Sequence, residues 1–233
     1  MKKKIICIIP ARQGSKGLKN KNFLHFSGKK LIYYPIKLAE SLKEIDKIVF
    51  SSDSIRYLNY VKKNFSCEIS KRPKKLSSSN SKIYDVIKFI LNDQKKRNNL
   101  DFDIILMLEP TSPLTVKKDV RKALLLLKKK YNHLDSVAPV VNIDKFDPMF
   151  SIKLKRNLFS NKKMPNKTNR KLNQCFYLSG NFYLSKVDSF YKNSGFYSKR
   201  TYALKVDRKY YSDIDDIIDF KISEFKKKFF KIK

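Results

Sequence analysis

Three short stretches carry residue types suited to a phosphorylated ligand. The first is residues 8–22, IIPARQGSKGLKNKN, where an apolar run empties into a loop holding Gly14, Gly17 and the cations Arg12, Lys16, Lys19 and Lys21. Glycine lets a backbone turn tightly and present its N–H groups. Arg12 and Lys16 would add charge-assisted bonds to phosphate oxygens. The spacing is not that of a Walker loop, and there is no G-x-G-x-x-G to suggest a dinucleotide fold. Alone, the stretch reads equally well as a basic surface turn. The second is residues 106–114, LMLEPTSPL, where Pro110 and Pro113 bracket Thr111 and Ser112 and stiffen the chain. It reads as a rigid ligand-holding loop or as a plain strand-to-helix turn. The third is residues 211–219, YSDIDDIID. In extended backbone, alternate residues share a side. Asp213 and Asp215 would then form a carboxylate pair fit for a hard divalent cation such as Mg²⁺. The competing reading, helix capping, suits Asp216 and Asp219.

Positioning these stretches requires a scaffold, and the hydrophobic pattern supplies one. Residues 4–9, 47–51, 67–70, 104–108 and 136–141 read as strands, and residues 31–42, 54–64, 83–95 and 117–130 as helices. Such alternation predicts an α/β fold, a mostly parallel sheet with helices on both faces, whose ligands sit beyond the carboxyl ends of the strands. The rhythm breaks at residues 142–177, which are polar and irregular. Residues 182–184 and 201–206 read as further strands, and residues 213–229 as a closing helix with an acidic start. The chain divides accordingly into an α/β unit of residues 1–141 and 178–233 and an interposed segment, 142–177.

Composition narrows the choices. The 53 Lys and Arg residues outnumber the 21 Asp and Glu, a formal charge of +32. Lysine is scattered rather than gathered in a stripe, and the chain is also rich in Ile, Asn, Phe and Tyr, so compositional bias explains the excess better than a nucleic-acid surface does. A basic field still draws polyanionic substrates. Cys7, Cys67 and Cys175 form no C-x-x-C pair, and His25 and His133 stand alone. Zinc, disulfide and cysteine-nucleophile chemistry are therefore not indicated. A reduced, cytosolic protein is expected, with no membrane span.

Taken together and in this order, ARQGSKGLKNKN, EPTSPL and the late DID resemble the acylneuraminate cytidylyltransferases, or CMP-sialic acid synthetases, over nearly the whole chain. The resemblance implies a nucleotide-diphospho-sugar-transferase-like fold, CTP as donor, a sialic-acid-type nonulosonic acid as acceptor and Mg²⁺ as cofactor. It assigns Arg12, Gly14, Ser15, Lys16, Lys21, Asn22 and Arg72 to the nucleotide, and Asp213 and Asp215 to the metal. Arg12, Lys21 and the two aspartates would carry catalysis. Glu109, Ser112, Arg170, Gln174 and Ser179 fall on the sugar side. It further implies a homodimer in which segment 142–177, with Phe146, Met149 and Phe150, projects onto a twofold-related copy and carries Arg170 or Lys171 into the neighbouring site. The chain departs from the family's pattern at Thr115, where relatives usually carry Arg after TSPL. It departs again at Glu109, where many carry Gln, at Asp147, where His often precedes the proline, and at Ser179-Gly180-Asn181, where an Asn-Gly pair is usual. These changes lie toward the sugar and dimer side, so legionaminic acid or another nonulosonate fits as well as N-acetylneuraminic acid, and pseudaminic or 3-deoxy-manno-octulosonic acid stand as alternative acceptors. The GSKG-x-x-x-KN loop argues against the latter.

Overall fold

The computed structural model describes residues 3–14, 17–78, 80–142 and 175–232, together with the backbone of 154–155 and 158–159. Strands β1 (Ile5–Pro10), β4 (Lys47–Ser52), β5 (Glu68–Lys71) and β6 (Ile104–Met107) lie in the order β5-β4-β1-β6, all parallel. β1 shows why its run is continuously apolar. Ile5, Cys7 and Ile9 point into one core and Ile6 and Ile8 into another, all fully buried. A parallel strand covered on both faces has no polar side to show.

Helices α1 (Tyr33–Glu40), α2 (Ile55–Asn64) and α4 (Lys117–Lys129) supply the first core, and α3 (Ile83–Asn98) and α5 (Val187–Lys192) the second. On α4, Val120, Ala123, Leu124 and Leu127 recur at helical spacing and are all buried. Beyond β6 the sheet turns mixed. β11 (Tyr183–Lys186) runs antiparallel to both β6 and β7 (Ser136–Asn142), and β12 (Thr201–Lys205) joins β7 in parallel. Two small hairpins, β2 (His25–Phe26) with β3 (Lys29–Lys30) and β8 (Leu154–Lys155) with β9 (Leu158–Phe159), stand apart.

Two sequence boundaries move. β10 (Phe176–Leu178) pairs antiparallel with the end of β7, so Phe176 and Tyr177 belong to the main sheet and not to an interposed segment. Most of that segment, with Phe146, Met149, Phe150, Arg170, Lys171 and Gln174, lies outside the described residues. The closing helix α6 runs Ile217–Phe229, four residues shorter at its start than the pattern suggests. Asp216 caps it, in a box where its side chain accepts from Asp219 N–H and Asp219 reaches back to the Asp216 N–H. Asp213 and Asp215 therefore precede the helix. No helix among the described residues is long and apolar enough to cross a membrane.

Candidate active site

The sheet changes direction of winding between β1 and β6: from β1 the chain goes to β4 on one side, while β6 lies on the other. Ligands of open α/β sheets bind at such a switch point, outside the carboxyl ends of the strands. Here the loops after β1 and β6 open a cleft of about 560 Å³. Arg12, Lys21, Asn22, Arg72, Glu109, Thr111, Asp213 and Asp215 all line it.

Each wall is tied to the scaffold. The loop after β1 is fastened to the end of β4: Ala11 N–H donates to Ser51 O at 2.9 Å and Ser52 Oγ donates to Ala11 O at 2.6 Å. Gln13 N–H donates to Asp53 Oδ1 at 2.9 Å. Asn22 folds the loop back by donating to Arg12 O at 2.9 Å. Gly17 is required by crowding, because a Cβ there would collide with the backbone carbonyl of Asp215. The acidic wall is pinned in turn. Ile214 is fully buried with its N–H on Thr111 O at 3.0 Å, which leaves its neighbours Asp213 and Asp215 to face the cleft.

The electrostatics are those of an incomplete site. Arg72 is 6 % exposed, donates to Ser51 O at 3.2 Å and leaves its buried Nε without a protein partner. Burial, opposed by Asp53 and reinforced by Arg12, brings its pKa down to about 10. Two guanidiniums brought together this way favour a bound anion. Glu109 sits deep among protein atoms although part of it still meets the cleft. Desolvation first, then Asp213 and Asp215, push its carboxyl up to about 7 against the opposing pull of Lys21. Desolvation and the Asp215 charge raise Asp213 as well. Lys21 Nζ lies 2.8 Å from Asp215 Oδ1, but that carboxylate is 79 % exposed and remains open to further ligands. Among the described residues no three acidic, His or Cys groups could hold a metal unaided. Two mutually repelling carboxylates suit an ion such as Mg²⁺, which is commonly held by one or two carboxylates plus substrate phosphates.

A family model described as Cytidylyltransferase matches residues 6–231. The chain belongs to the cytidylyltransferase family. An N-acylneuraminate cytidylyltransferase of Streptococcus agalactiae is 29 % identical over 221 residues, covering 93 % of this chain and 52 % of that protein. A CMP-N,N'-diacetyllegionaminic acid synthase of Legionella pneumophila is 29 % identical, covering 95 % of each chain. A pseudaminic acid cytidylyltransferase and UDP-2,4-diacetamido-2,4,6-trideoxy-beta-L-altropyranose hydrolase of Helicobacter pylori is 27 % identical, over 94 % of this chain and 42 % of that one. The chain thus spans about half the length of the N-acylneuraminate cytidylyltransferases it matches. Its fold is that of a solved CMP:2-keto-3-deoxy-manno-octonic acid synthetase complexed with CTP, with TM-score 0.67, 15 % identity and coverage of 95 % and 97 %.

Within this cytidylyltransferase fold the residues singled out from sequence divide. Arg12, Lys21, Asn22, Arg72, Glu109, Asp213 and Asp215 meet in the one cleft. Gly14 follows in the loop without lining it, and Ser15 and Lys16 lie outside the described residues. Two expected sugar contacts do not reach the cleft. Ser112 is 4 % exposed with its hydroxyl on Gly180 O at 3.2 Å, and Ser179 is 1 % exposed with its hydroxyl on Pro139 O at 3.3 Å. The sequence reading also missed lining residues. Ser78 and Ser81 face Arg12, whose guanidinium donates to Ser78 O at 3.3 Å. Tyr183 and Tyr197, with ring centroids 6.4 Å apart, do not line the cleft, though burial, helped by the Glu109 charge, raises both phenols. The serine-rich stretch 77–81, SSSNS, was a legible signal.

Proposed function

We propose that this chain transfers CMP from CTP to the anomeric hydroxyl of a nonulosonic acid, releasing pyrophosphate. The observation that carries it is the meeting of Arg12, Lys21, Arg72 and the Asp213–Asp215 pair at the sheet's switch point, in a chain that matches the cytidylyltransferase model almost end to end. In the proposed step the sugar oxygen bonds to the α-phosphorus. The bond to the bridging oxygen breaks, and pyrophosphate leaves with that electron pair. The hydroxyl proton passes to a cleft carboxylate or to water. Arg12, Arg72 and Lys21 hold the triphosphate and offset charge growing on the leaving group, so catalysis is chiefly positioning and charge neutralisation. Asp213 and Asp215 would hold Mg²⁺, whose contribution when bound is Lewis-acid polarisation of the phosphate.

The acceptor is proposed as a class. Relatives of nearly equal identity carry names referring to N-acylneuraminate, diacetyllegionaminic acid and pseudaminic acid, and these names point to nonulosonic acids as a group. A twofold dimer built on segment 142–177 belongs to the same proposal, resting on its apolar residues Phe146, Met149 and Phe150. Pyrophosphate release from each of the four nucleoside triphosphates, with a panel of nonulosonic acids, tests the reading. CTP alone should turn over; equal rates with all four nucleotides would count against it.

A further inference from the structure

The closing helix α6 has two apolar faces where one is enough to hold it. Phe220 and Ser223 are buried, and Phe220 packs with Phe26, Leu31, Leu114 and Ile214. Nearly opposite them, Ile218, Ile222, Phe225 and Phe229 are 66, 48, 64 and 65 % exposed. Their spacing keeps them within about 60° of one another around the helix, in a stripe about 16 Å long. Of the 14 large hydrophobic residues exposed among those described, six fall within residues 217–230. Single exposed apolar side chains need no explanation, but a contiguous set marks an interaction surface. Phe225 and Phe229 stack at 5.4 Å, and Phe230 meets Phe229 edge-on at 5.0 Å, so the rings form a continuous ledge. We propose that this ledge docks the protein on an anionic lipid surface, with α6 lying flat at the level of the headgroups.

The charge along the stripe selects the partner. Lys221 and Lys228 are exposed and flank it on one side. Lys231 follows past the helix end, where it lines one hollow with Phe230, Lys117 and Lys118. The two acids of the helix do little to offset them. Asp219 is held in the cap, and half-buried Glu224 accepts from Ser27 N–H and from Lys221 Nζ, both at 3.3 Å. The rim of the ledge is therefore basic. Aromatic rings flanked by lysines are the composition of helices that lie in a membrane interface, where the rings enter the acyl boundary and the ammonium groups meet lipid phosphates. A second copy of this chain fits the ledge poorly, because it would set two lysine rims and two charges of +32 against each other. Spanning is excluded by length, since α6 has 13 residues where about 20 are needed. Docking here uses none of the cleft residues.

Vesicle flotation of the full chain tests this, in physiological salt, where attraction between exposed charges is screened beyond about 8 Å. The vesicles are phosphatidylcholine alone or equimolar phosphatidylcholine and phosphatidylglycerol. Binding is expected to the mixed vesicles and not to the neutral ones. Phe225→Ser with Phe229→Ser should weaken it by about tenfold or more, through loss of the inserted rings. Lys221→Ala with Lys228→Ala should weaken it by about fivefold per charge. Circular dichroism checks that each variant is folded. The chain contains no tryptophan, so Phe229→Trp adds a single indole whose emission should move to the blue on the mixed vesicles. That reporter decides if the serine variant does not fold. Binding that survives the serine pair would overturn the proposal, by making the attraction a general effect of the basic field. So would an unshifted emission or equal binding to neutral vesicles. A dimer that the serine pair dissociates would also overturn it, by placing a second copy on this face.

Discussion

At the scale of single residues, the site is built by crowding like charges and leaving them incompletely matched. Burial and then Asp215 raise Asp213, burial and then Arg12 lower Arg72, and burial and then the two aspartates raise Glu109. Such an arrangement is stabilised when a triphosphate and a cation enter together. Asp215→Ala should therefore lower turnover on the order of 100- to 1000-fold while leaving the circular dichroism spectrum unchanged. Wild-type turnover of this variant at limiting Mg²⁺ would reduce Asp215 to a partner of Lys21. Gly17→Ala makes a sharper demand, since it removes no functional group. The added methyl meets the Asp215 carbonyl and must push the acidic wall away from the basic loop. A fall in kcat/KM of about tenfold or more is expected, because small misplacements are expensive in catalysis. Unchanged kinetics would show that the loop yields freely. Much of this site was legible in the sequence because its residues lie in three compact stretches. The surroundings of Ser112 and Ser179 were not legible, because a serine next to a motif looks the same whether its hydroxyl faces a ligand or, as in these two, a backbone carbonyl.

At the scale of elements, strand–helix alternation located the four parallel strands and the first four helices within a few residues. What it could not show was the antiparallel direction of β10 at the sheet edge and of β11 inserted between β6 and β7, because side-chain pattern marks a strand and not the direction in which it runs. That insertion is secured at one point. Asp135, just before β7, accepts from Arg200 at 2.6 and 3.1 Å and from Ser198 Oγ at 2.9 Å, with Lys186 Nζ 3.4 Å away. These contacts, Arg200 foremost, hold its carboxyl down to about 2. A carboxyl with a depressed folded-state pKa contributes stability that is complete above the unfolded value near 4 and disappears as pH falls toward 2. Asp135→Asn should thus cost about 2 kcal/mol near neutral pH and progressively less in acid. Urea midpoints of both proteins at pH 6 and pH 2.5 measure this, and a difference that does not shrink in acid would refute it. α6 offers a second check, since loss of the Asp216 cap by Asp216→Ala should cost about 1 kcal/mol in the same assay. Stability equal to the parent would mean that the capping box is dispensable.

At the scale of the whole molecule, the charge of +32 places a binding cleft for a polyanion within a broadly basic field. Association with CTP should consequently weaken as salt rises, more steeply for CTP than for CMP, and stopped-flow rates at two ionic strengths would show whether it does. The proposed dimer belongs to this scale too. Sedimentation equilibrium should find a dimer at micromolar concentration, and one that dissociates when Phe146 and Phe150 are both replaced by Asp; a fully active monomer would contradict it. The central claim is cytidylyl transfer to a nonulosonic acid. The most direct measurement is pyrophosphate release from CTP and Mg²⁺ with N-acetylneuraminic, N,N'-diacetyllegionaminic and pseudaminic acids supplied singly, with the CMP-sugar product identified by mass. The account predicts acceptor-dependent pyrophosphate and a matching CMP adduct with at least one of the three. Absence of any adduct from active-site-intact protein, with no pyrophosphate above the rate without acceptor, would contradict it.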